Sequence, residues 1–97
     1  MIKVLIKENC IEIKGHALYD KYGKDIVCAA VSATVITTVN AILSIDSSSI
    51  NVVEKNGVKI DILKHTIVID KLINNMINLL IELEKDYKNN IDIRRIE

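Results

Sequence analysis

The chain is expected to fold as an α+β domain, two layers deep, with a mostly antiparallel sheet and the element order β-β-α-β-β-α. Three observations carry that expectation. Apolar and charged residues alternate over 2–7 and 11–14, an uncharged run covers 26–45, and Asn56-Gly57 separates two further β-branched runs.

Taken in order, Ile2, Val4 and Ile6 alternate with Lys3, Leu5 and Lys7, and Ile11 and Ile13 with Glu12 and Lys14. This is the two-residue period of half-buried strands, with a hairpin turning near Glu8-Asn9-Cys10. Residues 17–24 hold no sustained period and lie between Gly15 and the start of the uncharged run, so they read as a loop. The twenty residues 26–45 are long enough to cross a bilayer. Ser32, Thr34, Thr37, Thr38, Asn40 and Ser44 make them too polar for a lone spanning helix, and the flanks show no basic bias. Four alanines favour helix, Asp25 offers an N-cap, and no ordinary strand is this long, so a central buried helix is expected.

Ser47-Ser48-Ser49 breaks that helix. Strands follow over 50–55 and 58–63, joined at Asn56-Gly57, the pair that best suits a two-residue hairpin. Ile69, Leu72, Ile73, Met76, Leu80 and Leu83 then recur at three and four residues, while Lys71, Asn74, Asn75 and Glu82 occupy the opposite face of an amphipathic second helix. Residues 91–96 can add a short edge strand.

Composition narrows the function classes. At 97 residues the chain is read as one domain over 1–97. A domain this small buries only about two-thirds of its unfolded surface, which makes a homodimer an attractive expectation. Thirteen basic and thirteen acidic side chains leave no net charge, against direct nucleic-acid binding through phosphate neutralisation. Two cysteines cannot form a secreted disulfide framework, and charges interrupt the first apolar residues as no signal peptide would tolerate. A cytoplasmic protein without a membrane span is expected. Zinc-ligand spacings and phosphate-loop motifs are missing, so no cofactor or metal is expected.

Chemistry is most plausible at Cys28. With Asp25 as cap, Cys28 is the third residue of the first helix, where unpaired N–H groups and the helix dipole favour a thiolate. The plainer reading is a small buried hydrophobe. His16 ends the second strand twelve residues earlier, where it could exchange a proton with the thiol or simply stand in solvent. Asp25 is either the helix cap or an acid that orients His16. Ser32, one turn after Cys28, could bond near the sulfur or to a backbone carbonyl. Cys10 reads as an incidental thiol and His65 as a surface residue.

Gly15-His16-Ala17 followed by Tyr22-Gly23-Lys24-Asp25-Ile26-Val27-Cys28-Ala29-Ala30-Val31-Ser32-Ala33 closely resembles the ribosomal-processing cysteine protease family. The resemblance extends to the order of elements over essentially the whole chain. It implies a homodimeric Cys-His endopeptidase that removes the N-terminal extension of ribosomal large-subunit protein twenty-seven during ribosome assembly. His16 and Cys28 match the family's catalytic pair, and Asp25 and Ser32 its supporting acid and hydroxyl. Ala17, Leu18, Tyr19, Asp20, Lys21, Tyr22, Gly23 and Lys24 match its substrate-gating loop, with Leu18 where many relatives carry glycine. The family's substrates carry aromatic residues before the cut, and Ala29, Ala33, Tyr19 and Tyr22 could line the pocket for them. Two other classes compete: a non-catalytic assembly or binding module of the same fold, and a thiol redox sensor in which Cys10 resolves an oxidised Cys28.

Overall fold

The computed structural model describes residues 1–15 and 26–96. Its elements are β1 (Ile2–Ile6), β2 (Cys10–Lys14), α1 (Ile26–Ile45), β3 (Ile50–Glu54), β4 (Val58–Ile62), α2 (Ile67–Asp86) and β5 (Ile91–Arg95), the expected order with the added edge strand. The strands form one sheet in the order β3-β4-β2-β1-β5. Only the β1–β5 pair is parallel; the other three pairs are antiparallel. That exception follows from α2, which carries the chain back along the length of the domain before β5 begins.

Alternation sets which face of the sheet is covered. Ile2, Val4, Ile6, Ile11, Ile13, Ile60, Ile62 and Ile91 are buried on one face, whereas Lys3, Lys7, Lys14 and Lys59 on the other are exposed. α1 places Val27, Val31, Val35, Thr38, Val39 and Ile42 in the core, and α2 places Ile69, Ile73, Met76, Ile77 and Leu80 there. The four-residue and three-residue spacings make each set a single stripe on its helix.

Hydroxyls explain how α1 tolerates its threonines. Thr34 Oγ1 donates to the Ala30 carbonyl at 2.8 Å and Thr38 Oγ1 to the Thr34 carbonyl at 2.9 Å, so both polar atoms are satisfied within the helix. α2 starts two residues before its expected stripe because Thr66 caps it, accepting from the Ile69 N–H at 3.2 Å. At the β3–β4 turn, Asn56 (φ 56°) and Gly57 (φ 124°) both adopt the left-handed backbone that a tight hairpin demands. The β1–β2 turn is tighter than expected. Lys7 N–H donates to the Cys10 carbonyl at 2.8 Å, which makes Cys10 the first residue of β2 rather than part of the turn.

The connections also orient α1. Lys64, just after β4, bonds Asp46, just after α1, at 3.2 Å, and Leu63 N–H donates to the Ser49 carbonyl at 2.8 Å. The last turn of α1 therefore lies at the end of the sheet where β4 finishes. Twenty helical residues extend about 30 Å, so the first turn of α1 lies at the opposite end, where β2 finishes.

Leu80 is fully buried, and Leu80→Ala should cost about 3 kcal/mol through lost contacts and the cavity left behind. The check is a urea unfolding curve whose midpoint falls while its slope stays unchanged.

Candidate active site

Two positions at the first-turn end of α1 prepare the site. Gly15, directly after β2, has a φ of 93°, and a Cβ there would collide with the Met1 carbonyl oxygen, so only glycine fits this exit from the sheet. Cys28 is the third residue of α1. Its neighbour Val27 is completely buried and anchors the turn, while Ile26 and Ala29 are exposed. Cys28 is thereby held at the boundary of the core, half-buried and packed against the hydrophobic cluster, within the first turn of the helix.

That address suits a nucleophile. The first N–H groups of a helix have no carbonyl partner within it, and they carry its positive partial charge. They can bond an oxyanion formed on a carbonyl attacked by the sulfur. The first turn of α1 itself contains no acidic side chain. Ser32 lies one turn further on and is exposed, as are Ala29 and Ala33, so this side of α1 is open to a bound chain. The expected partners His16 and Asp25, and the expected gating residues 17–24 with Leu18, Tyr19 and Tyr22, lie outside the described residues.

Cys10 is chemically different from Cys28. It stands on the uncovered face of the sheet, opposite Asp61 on β4. Partial burial raises its thiol pKa, and a hydrogen bond to Asp61 and the charge of that carboxylate raise it further. A disulfide requires Cα atoms within about 7 Å. Cys10 and Cys28 are on opposite sides of the sheet layer, at opposite ends of the domain, and no disulfide joins them. The resolving role considered for Cys10 therefore does not fit within one chain.

His65 is exposed, as expected, yet it is not idle. Its Nδ1 lies 2.8 Å from Asp70 Oδ1 and its Nε2 2.5 Å from Asn9 Oδ1, tying the β1–β2 turn to the start of α2. His65 and Asp70 border a cleft of about 520 Å³ floored by Ile6, Ile11, Ile62, Ile73 and Ile77. The cleft lies at the far end of the domain from Cys28. Sequence spacing gave no sign of the Asn9 contact, which joins positions 56 residues apart. Among the described residues, no three His, Cys, Asp or Glu side chains converge as metal ligands.

Comparison with known proteins gives this arrangement a context. Residues 1–92 match the family model described as cysteine protease Prp. A ribosomal processing cysteine protease Prp from Mycoplasma genitalium is 54% identical over 35 residues, and that from Mycoplasma pneumoniae 49% over 35. These matches span 36% of this chain and 35% of each relative's length. Among solved structures, an essential ribosomal processing protease Prp from S. aureus with a covalently linked product peptide superposes with a TM-score of 0.93 at 26% identity. It covers 99% of this chain and 100% of that one. The same S. aureus protease with a substrate peptide gives a TM-score of 0.87 at 25% identity, over the same shares.

The environment of Cys10 has a measurable consequence. Asp61→Asn removes the negative charge beside the thiol, lowers its pKa and so increases the thiolate fraction near neutral pH. Iodoacetamide labelling of Cys10 at pH 8, followed by peptide mass spectrometry, should be several-fold faster in Asp61→Asn than in the unaltered protein.

Proposed function

The chain belongs to the cysteine protease Prp family, and on that premise we propose that it is a cysteine endopeptidase acting on a ribosomal protein. The observation that carries this reading is the match, over 99% of the chain, to a protease with a covalently linked product peptide. The narrower substrate is the N-terminal extension of ribosomal large-subunit protein twenty-seven, cut in the cytoplasm during ribosome assembly by a homodimer.

In this mechanism the Cys28 sulfur attacks the scissile carbonyl carbon. A carbon–sulfur bond forms, and the negative charge moves to the carbonyl oxygen, where N–H groups at the start of α1 bond it. His16 accepts the thiol proton and returns it to the amine nitrogen as the carbon–nitrogen bond breaks. Water, deprotonated by His16, then attacks the thioester and releases the new carboxylate together with the Cys28 thiol. Asp25 orients the imidazole or caps α1. Ser32, exposed one turn beyond Cys28, supports the site by bonding near the sulfur or to a backbone carbonyl. Small side chains at Ala29 and Ala33, exposed on the same helix, support the reading of an apolar pocket for aromatic residues before the cut, completed by Tyr19 and Tyr22. The loop Ala17, Leu18, Tyr19, Asp20, Lys21, Tyr22, Gly23 and Lys24 would gate that pocket.

Mass spectrometry of a peptide spanning the extension, after incubation with each protein, tests the proposal. A single cut is expected with the unaltered chain. Cys28→Ala and His16→Ala should each lower kcat/KM by about a thousandfold or more without loss of fold. An intact peptide and an intact full-length ribosomal protein after incubation with the unaltered chain would overturn it.

A further inference from the structure

The cleft of about 520 Å³ beside the first half of α2 lies at the opposite end of the domain from Cys28, and the cleavage chemistry makes no use of it. Its volume falls within the range of small-molecule sites, about 300–1,000 Å³. Four elements supply the floor: Ile6 from β1, Ile11 from β2, Ile62 from β4, and Ile73 and Ile77 from α2, all anchored in the core. The charge at its edge comes from β5. Ile91 and Ile93 pack toward the core, and the same two-residue period carries Arg95, the register partner of Ile6, to the cleft. Its neighbour Arg94 is paired with Asp92 at 3.0 Å, whereas the Arg95 guanidinium makes no hydrogen bond or ion pair with any described residue.

The other charges on the rim limit what Arg95 can meet. Lys7 faces Glu12 at 3.8 Å and Asp70 is bonded to His65 at 2.8 Å, which leaves Glu8 as the further charge lining the cleft. We propose that the cleft binds a small aliphatic monocarboxylate, its chain on the isoleucine floor and its carboxylate on the Arg95 guanidinium. A planar guanidinium meets a carboxylate through two parallel N–H···O bonds, a fit that a lysine ammonium does not offer. Glu8 and Asp70 on the same rim oppose a second negative charge, which disfavours phosphate and dicarboxylates. Inorganic anions are disfavoured further, because the floor offers them no polar partner and gains only from withdrawing an apolar chain from water. The inference concerns a site remote from Cys28 and does not rest on the cleavage reading.

Two-dimensional amide NMR of the unaltered chain, titrated with octanoate to about 5 mM, reads any Kd of about 1 mM or below. The resonances of Ile6, Ile73, Ile77 and Arg95 should shift and saturate, while those of Val35 and Gly57, away from the cleft, stay in place. Octylammonium, with the same chain and the opposite charge, should leave all of them unmoved. Arg95→Gln, at an exposed position, should weaken octanoate by about fivefold or more. Asn74→Trp, exposed on the α2 wall of the cleft, should abolish the shifts by filling the space; either variant serves if circular dichroism shows that the other does not fold. Absence of saturating shifts at the cleft, equal affinity for octylammonium, or unchanged affinity in folded Arg95→Gln would overturn the proposal. Acetyl-Leu-Leu binding about tenfold tighter than octanoate would overturn the free acid as occupant and assign the cleft to the carboxyl end of a peptide.

Discussion

The valine stripe of α1 seated on the isoleucine face of the sheet is the contact on which the rest of the structure depends. Val27, Val31, Val35 and Val39 recur every four residues and end at Ile42, all buried. Each such side chain contributes roughly 1.5–3 kcal/mol when fully withdrawn from water. Together they fix how α1 is rotated about its own axis. That rotation leaves Cys28 half-buried at the margin of the core, Ser32 exposed one turn away, and an uncharged face directed outward. A different rotation would drown the thiol in the core or strand the valines in water.

The two cysteines differ in their surroundings and not in residue type. Cys10 begins a strand on the uncovered sheet face, where partial burial and then the neighbouring Asp61 carboxylate raise its thiol pKa. Cys28 begins a helix, among N–H groups that a developing oxyanion could use. Nothing in the identity of the residue distinguishes them. One rests against negative charge and the other at the positive end of a helix dipole.

The domain is also divided along its length. The end bearing the first turn of α1 carries the positive-φ exit at Gly15 and Cys28, whereas the opposite end is tied by His65, Asp70, Asn9, Lys64 and Asp46. The Asp46 carboxyl is held below the usual carboxylate range, chiefly by the Ser48 hydroxyl and backbone N–H and by Lys64. Polar ties thus hold the end where α1 stops and α2 starts. Local chemistry at one end and turn-closing bonds at the other share one apolar core.

Most of the fold was legible in the sequence because it depends on short-range periodicity. Alternating isoleucines, the Asn56-Gly57 turn and the three-four stripe from Ile69 to Leu83 each announce an element within a few residues of themselves. The placement of Cys28 in the first helical turn was legible for the same reason. What only the tertiary structure decided are the relations between distant segments: the parallel pairing of β5 with β1, the contact of Asn9 with His65, and the carboxylate beside Cys10. The outward face of α1 belongs with these, since twenty uncharged residues read as a helix buried all round until the neighbours that cover only one side of it are known. Helix and strand periods are written in adjacent residues, but the partner of a face is chosen by the whole chain's packing, which no local pattern encodes.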